Sequence, residues 1–559
     1  MKLLRSSAAA VLFAFLSCTI LSQAEEAKVP LFDDLGSYTR KVTTDSAEAQ
    51  RYFDQGLRFL FGFNHGMAIR SFQAAAKADP ECAMAHWGVA LACGPHINFP
   101  MVPPPRAEMA WASLTLARQH AAKATPVEQA MIEALGHRYG NPQPEDRSPL
   151  DLAYADAMRR LWQKYPNDRD VGVFFAEALM DLRPWDQWTP AGEMQPGTEE
   201  VLQVLDRVLA LDDQHPFANH LYIHAVEASP NPERAIAAAE RLRNLQPGLA
   251  HNVHMPSHID IRVGDWHQAV TSNLAAIEAD QEYRAVVGPP KDIVVLYAAH
   301  NRHMLAFAAM MTGQRDIALK HIRDMVTEIS PTFMQEWAVA AEAFAAMPYE
   351  VMVRFGLWDE ILREPDNYPE YMPFTKAFRR AARAIALAAK GDVVAARLEQ
   401  AAFLEMMKLI PEETTLGNNT GSGIMAVAAP MVEGEILVRE GKLEEGLSAL
   451  RAAIEAEDVL RYDEPPGWIL PVRHALGATL MVHGRYAEAE QVYRDDLARL
   501  PGNGWSLFGL TEALSLQGKH EEANKTRSRF NDVWRNADVQ IASSCLCQPG
   551  VKFATATQR

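Results

Sequence analysis

Apolar and polar residues follow the spacing of amphipathic α-helices along most of the chain. Apolar side chains that recur three to four positions apart lie on one face of a helix, which can then pack against a neighbour. The alternation with a period of two that marks half-buried strands is absent from the sequence. The pattern therefore predicts an all-α fold built from pairs of helices.

One predicted pair of helices, in residues 49–80, reads AQRYFDQGLRFLFGFNHGMAIRSFQAAAKADP. Five of its residues stand at offsets 0, 12, 16, 19 and 24: Gly56, Ala68, Phe72, Ala75 and Pro80. The small residues let the two helices approach closely. Pro80 ends the second helix because proline lacks the amide hydrogen that a helix interior needs.

A similar spacing returns near the C-terminus, at Gly477, Gly484, Ala489, Tyr493 and Pro501. This pattern resembles the tetratricopeptide repeat family, and it covers most of residues 46–530, with gaps near 100–200 and 331–370. The resemblance implies a tetratricopeptide-type solenoid of helical hairpins wound into a right-handed superhelix, with a concave groove that can hold a protein or peptide partner. The chain also resembles a bacterial group of exported repeat proteins that share HLYIHAVEAS, HMPSHI, HNRH and EPPGW. That second resemblance implies no particular activity.

The pattern divides the chain into five parts, which are a signal peptide (1–24), an extended lead-in (25–45), an N-terminal solenoid with a histidine-rich groove (46–365), C-terminal repeats (366–535) and a tail (536–559). Two segments interrupt the helices because they are rich in Pro, Gly or Asn. Residues 183–197 form either a loop that lays Trp185 and Trp188 over one face or a packed insert. Residues 416–423, LGNNTGSG, are predicted to be a flexible connection.

Half of the 18 histidines lie in residues 215–303. His220 and His224 are four residues apart, as are His254 and His258, and residues at this spacing share a helix face. The second pair follows the first by 34 residues, which is the period of the tetratricopeptide repeat. The same two histidines therefore recur at the same place in successive repeats.

The repeat resemblance also implies where these side chains point. In that family the second, fifth, ninth and twelfth residues of each first helix line the groove. With Pro216, Ala250 and Ala299 as first residues, seven histidines and one glutamate occupy these positions in three consecutive repeats, namely His220, His224, His251, His254, His258, His300, His303 and Glu227. Pro256 interrupts the middle repeat and predicts a kink there.

Clustered imidazoles favour a transition metal, zinc or copper, because neutral imidazole is a common ligand for both ions. Crowding disfavours protonation and so favours the neutral, ligating form. Weaker candidate ligands are Glu177, the thioether of Met255, and the tail thiols Cys545 and Cys547, which could also form a disulfide or stay reduced. His65, His86 and His96 are scattered along the sequence and are predicted to be structural.

Three functions fit these observations. The first is an exported protein that binds zinc or copper through the histidines of its groove. The second is a peptide- or protein-binding scaffold whose histidines donate hydrogen bonds. The third is a metalloenzyme in which three histidines hold the ion and leave one position open.

Composition narrows the partners and the compartment. The chain has 559 residues and a net charge of −17, which disfavours nucleic acid and anionic membranes as partners. Residues 1–24 begin with Lys2 and Arg5, continue with an apolar core and end in small residues, as a secretory signal does. No later apolar run is long enough to predict a transmembrane segment. We therefore expect an extracytoplasmic protein, periplasmic or secreted.

The signal predicts that the mature chain begins near Glu25. N-terminal sequencing of protein recovered from the exported fraction is expected to start there. Recovery of the protein only from the cytosolic fraction, with Met1 still present, would contradict export.

Overall fold

A computed structural model describes residues 28–289, 294–548 and 550. The predicted signal peptide and residues 551–559 of the tail lie outside the described residues. The described chain is a nearly all-helical solenoid of the tetratricopeptide type, in which consecutive helices pack as adjacent pairs. The fold class predicted from the periodicity is thus confirmed.

The N-terminal helices run up to the loop that precedes the histidine repeats. Their bounds are α1 (Ala47–Phe61), α2 (His65–Ala78), α3 (Ala83–Ala92), α4 (Pro104–His120), α5 (Pro126–Leu135), α6 (Ser148–Lys164), α7 (Arg169–Met180) and α8 (Thr198–Leu211). Gly56 on α1 faces Phe72 on α2, and a Cβ atom at Gly56 would lie 2.5 Å from that ring. The close approach inferred from the small residues is therefore real.

The histidine repeats follow. Their helices are α9 (Pro216–Val226), α10 (Ile236–Leu245), α11 (Ala250–His254), α12 (Pro256–Val263), α13 (Trp266–Val287), α14 (Val294–Met311) and α15 (Arg315–Glu328). The first helix of the middle repeat is interrupted at Met255, immediately before Pro256, as the sequence predicted. Both halves keep right-handed helical dihedrals across the junction, so the histidines of α11 and α12 stay on one continuous face.

The remaining helices complete the solenoid. They are α16 (Pro331–Glu336), α17 (Ala338–Ala341), α18 (Met347–Arg354), α19 (Trp358–Arg363), α20 (Pro373–Ala389), α21 (Val393–Met407), α22 (Gly421–Arg439), α23 (Leu443–Asp458), α24 (Val472–Val482), α25 (Tyr486–Arg499), α26 (Gly504–Leu516) and α27 (His520–Val533). Short 3₁₀ turns lie at Ala121–Lys123, Gly136–Arg138, Pro232–Ala235, Glu342–Ala346 and Trp534–Asn536. Among the described residues, α22 alone is long and apolar enough to cross a membrane, and 56% of it is buried inside the protein.

One small departure from the all-helical prediction occurs at residues 416–423. Strands β1 (Thr415–Leu416) and β2 (Asn419–Thr420) pair antiparallel around Gly417, whose φ of 56° lies in the left-handed region. Asp463 accepts a hydrogen bond from the backbone of Asn418 at 2.8 Å. This segment is therefore an ordered hairpin that leads into α22, rather than a flexible connection.

The solenoid folds back on itself. Helices pack on their sequence neighbours and also on the helix after next, as α1 does on α3 and α24 on α26. Far along the chain, Trp266 Nε1 donates to the carbonyl of Pro501 at 2.8 Å, and Trp505 Nε1 donates to that of Met310 at 2.7 Å. These indole hydrogen bonds join the C-terminal repeats to the histidine repeats.

Buried apolar side chains form two cores that meet within α12. The first extends from Leu35 to Ile259, and the second from Ile261 to Cys547. The histidine repeats lie at this seam, because α9 and Met255 at the α11–α12 junction belong to the first core and most of α14 belongs to the second. The geometry of a site at this boundary depends on how the two hydrophobic cores pack against each other.

The described part of the lead-in, residues 28–45, contains no helix or strand before Ser46 and packs tightly against the helices. Arg40 Nη1 lies 2.6 Å from an oxygen of Asp170 on α7, and the Tyr38 hydroxyl donates to the other oxygen. Tyr38, Arg40 and Asp170 are all largely buried. Burial raises the pKa of Asp170, yet Arg40, His215 and Tyr38 together lower that pKa well below its usual range.

Replacing Asp170 by Asn is expected to lower the free energy of unfolding at pH 7 by about 1–3 kcal/mol, because the buried Arg40 loses one of its two carboxylate partners and keeps only Asp168. The carboxylate of the wild type is stabilising above its unfolded pKa of about 3.9, and this contribution is lost as the pH falls toward the lower folded pKa. The difference between wild type and variant should therefore shrink below about pH 4. Calorimetry across pH checks this.

Glu81→Gln is the control, because Glu81 pairs with Lys123 at the exposed surface. Its melting temperature should match the wild type. Equal melting temperatures for Asp170→Asn and the wild type at pH 7 would show that the lead-in is not anchored by this charge.

Candidate metal centre

The histidines singled out by the repeat register converge on the inner side of α9, α11, α12 and α14. Six of the seven are buried, and His300 is partly exposed. Their ring nitrogens form two groups of three, and within each group one nitrogen per residue lies within 4.8 Å of the others. Such convergence of buried imidazoles is what a metal site requires and what an ordinary apolar core avoids.

The first group consists of His220, His224 and His251. The rings of His220 and His224, one helical turn apart on α9, have centroids 4.9 Å apart, and the His251 ring from α11 lies 4.9 Å from that of His220. Nε2 of His220, Nε2 of His224 and both ring nitrogens of His251 are buried without a hydrogen-bond partner among the described residues. These nitrogens are available to a ligand.

The second group consists of His254, His258 and His300. Nε2 of His258 lies 2.7 Å from Nε2 of His254 and 3.4 Å from Nε2 of His300. Nε2 atoms at such distances attract one another only when a proton or a cation lies between them. The three nitrogens thus face a common point.

The protons on two of the rings are fixed by groups that can only accept. His220 Nδ1 lies 2.7 Å from the carbonyl oxygen of Phe61, so Nδ1 donates and Nε2 is left with its lone pair. His254 Nδ1 lies 2.6 Å from Oδ1 of Asn273, whose Nδ2 donates to Ala269 at 2.8 Å. The bond from Nδ2 to Ala269 fixes the orientation of the Asn273 amide, so Oδ1 of Asn273 must accept from Nδ1 of His254. Nε2 of His254 then keeps its lone pair and can bind a metal.

Glu227 joins the two groups. Nδ1 of His224 donates to Oε1 of Glu227 at 2.8 Å, and Nδ1 of His258 donates to Oε2. The carboxylate therefore lies behind one ring of each group and orients both, which is the usual arrangement of a carboxylate behind a ligating histidine. Burial raises the pKa of Glu227, while His258 and Arg262 oppose that shift.

The rings are neutral at physiological pH. Burial lowers the pKa of His224 to about 3 and the pKa of His254 and of His258 to about 4. The pKa values of His220, His251 and His300 lie well below the usual range, because burial and the neighbouring imidazoles both disfavour the charged form. Neutral imidazole is the form that binds metal.

Aromatic side chains from distant loops cover the first group. The Phe63 ring lies 4.5 Å from that of His220, and the Trp185 ring lies edge-on at 5.0 Å from that of His224. Trp185 Nε1 donates to Asn98 at 3.0 Å, while Trp188 is buried and donates to the carbonyl of Ala225. Both structures proposed for residues 183–197 are therefore present. Trp188 packs into the interior as part of an insert, and Trp185 covers the histidine rings as part of a loop.

Two histidines that were expected to be merely structural lie beside this cover. The rings of His65 and His96 stack 4.1 Å apart, and the His96 ring lies 4.7 Å from that of Phe63. Both nitrogens of His96 are buried without a hydrogen-bond partner among the described residues. No spacing in the sequence relates residues 65 and 96 to 220, so only the fold reveals that they are neighbours.

A remote segment also reaches the site. Tyr462, Asp463 and Glu464, just before Pro465-Pro466-Gly467-Trp468, lie close enough to Glu227 that its charge helps to raise their pKa values, with burial as the main cause. The pKa of Asp463 rises to about 7. A cavity of about 290 Å³ between this segment and Ala228–Pro230 is lined by Arg262, Arg461 and Arg473. The EPPGW segment, residues 464–468, thus borders the Glu227 side of the histidine cluster.

Other candidate ligands lie elsewhere. His303 is buried but belongs to neither group of three, and its ring lies 6.0 Å from that of Phe344. Glu177 lies 3.9 Å from Arg138, in a buried cluster with Asp181. Met255 is fully buried in the first hydrophobic core.

Cys545 and Cys547 form a disulfide that is buried against Glu435 on α22. Cys547 Sγ lies 3.1 Å from Oε1 of Glu435, and Arg439 donates to the carbonyl of Cys547 and to Gln548. Of the alternatives that the sequence left open for this pair, the structure contains the disulfide. Cys82 and Cys93 are free and buried, consistent with their separation along α3.

Neither the family models nor the curated proteins include a match to this chain. Among solved structures, a human IFIT1 dimer with m7Gppp-AAAA aligns at 13% identity and a TM-score of 0.32, covering 89% of this chain and 91% of that one. Yeast Tom70 aligns at 10% identity and a TM-score of 0.29, covering 87% and 90%. Ypp1 aligns at 10% identity and a TM-score of 0.38, covering 88% and 90%. These are distant likenesses between helical proteins, and they assign no function to this chain.

Proposed function

We propose that this protein binds a transition metal, zinc or copper, through the buried histidines of α9, α11, α12 and α14. The observation on which the proposal rests is the fixed orientation of the rings. His220 and His254 each donate through Nδ1 to a group that can only accept, which leaves Nε2 as a lone pair inside the cluster. Burying several such lone pairs together is costly unless a cation binds them.

The ligand set favours a borderline or soft divalent ion. Neutral imidazole suits zinc and copper, and three imidazoles leave at least one coordination position for water or another small ligand. Glu227 acts as a positioning residue, because both of its oxygens are already engaged by Nδ1 groups. If the predicted export holds, the metal would be bound outside the cytoplasm.

A peptide-binding scaffold is the alternative that the repeat architecture suggests. It would need a free concave surface over the histidines. Phe63 and Trp185 cover the rings of the first group, and the rings themselves are buried. A protein or peptide partner would therefore have to bind at another face of the solenoid, and the metal proposal explains the histidines better.

Replacing His220 and His254 together by Ala is expected to abolish metal binding, because each group of three loses a ligand. Elemental analysis of the untagged protein, recovered from its native compartment and again after incubation with zinc or copper at pH 7.5, measures this. Far-ultraviolet circular dichroism should show that the helices remain. Wild-type protein that retains no metal under either condition would overturn the proposal in favour of the scaffold.

His86→Ala combined with His120→Ala is the matched control. These two rings also stack, with centroids 5.9 Å apart, but they lie outside the cluster on α3 and α4. Metal content should equal the wild type. His65 is unsuitable as a control, since its ring stacks on His96 beside the cover.

Replacing Glu227 by Gln is expected to weaken metal binding by about 10–100-fold. Gln offers one acceptor and one donor, so it can no longer accept from both His224 and His258. Competition with a chelator of known affinity measures the loss. Asp260→Asn is the control, because Asp260 is a buried carboxylate on the same helix as His258 but accepts from Arg243. An equal loss of affinity in both variants would show that Glu227 acts only through stability.

A further inference from the structure

We infer that the cluster is a duplicated site that holds two metal ions side by side, one in each group of three histidines. This inference rests on the proposed metal binding and adds its stoichiometry and arrangement. The two groups share no histidine, and each contains three ring nitrogens within reach of one ion. One ion per group therefore uses all six rings.

The repeat register explains why there are two sites. In the first group, His220 and His224 are the fifth and ninth residues of one first helix, and His251 is the second residue of the next. In the second group, His254, His258 and His300 occupy the same three positions, one repeat later. Equivalent positions in successive repeats have equivalent surroundings, so a repeat that forms one such site forms the next as well.

The third repeat ends the series. Its fifth residue is His303, but its ninth is Phe307, which is fully buried in the second core. A third ion would therefore lack a ligand of the i, i+4 pair. This accounts for the position of His303 outside both groups, and it limits the described repeats to two complete sets.

Proximity of the two ions follows from Glu227. Its two oxygens accept from His224 of the first group and His258 of the second, whose ring centroids are 5.7 Å apart. The rings of His251 and His254, which also belong to different groups, are 6.0 Å apart. Ions bound by these rings would be close neighbours, as the ions of two-metal sites are.

Titration of the metal-free full-length protein with Cu²⁺, followed by removal of weakly bound ions on a chelating column, is expected to leave two equivalents in the wild type. His251→Ala should leave one, in the second group, and His300→Ala should leave one, in the first. His220→Ala and His254→Ala form a second pair of variants with the same expectation. His303→Ala should keep two.

Electron paramagnetic resonance tests whether the ions are neighbours. Two Cu²⁺ ions a few ångströms apart interact magnetically, so the spectrum of the doubly loaded wild type should differ from the sum of the His251→Ala and His300→Ala spectra. One equivalent in the wild type, or a spectrum equal to that sum, would overturn the paired site while leaving metal binding intact. No equivalent at all would overturn the proposed function itself.

Discussion

Desolvation of imidazole is the constraint on which the centre of this structure depends. Six rings at one seam exchange water for protein, and only some of their nitrogens find a protein partner. Burial disfavours the charged form, which is why the pKa of His224 falls to about 3 and those of His254 and His258 fall to about 4. Burying these nitrogens without a partner costs free energy, and this cost is the physical basis of the proposed metal binding.

The surrounding structure holds the rings in that state. The backbone carbonyl of Phe61, the side-chain amide oxygen of Asn273 and the carboxylate of Glu227 each accept a hydrogen bond from a ring Nδ1–H and so select the tautomer of that ring. These acceptors belong to three different parts of the chain. The site therefore depends on the docking of α1 against α9 and of α13 against α11, as well as on the histidine helices themselves.

Closure of the solenoid changes what the concave face can do. An open concave groove suits an extended peptide. Here Phe63 and Trp185 lie against histidine rings of the first group, and Tyr462 lies under Arg262 beside Glu227. The indole hydrogen bonds of Trp266 and Trp505 hold the C-terminal repeats against the middle of the chain. The histidine face of the solenoid is therefore largely buried rather than an open groove.

The sequence by itself determined the helical hairpins and the register of the histidines, because both depend on local periodicity: small residues at fixed offsets, a proline at the end, and the same pair of histidines 34 residues apart. It also placed His251 and His300 at equivalent positions. The sequence could not show whether Glu227 faces the candidate metal site or accepts hydrogen bonds from Nδ1 of His224 and His258. That choice depends on contacts between different repeats, which only the tertiary structure defines. Only the tertiary structure brought His65, His96 and Glu464 to the site and ordered the 416–423 hairpin, because these contacts join residues far apart in the chain.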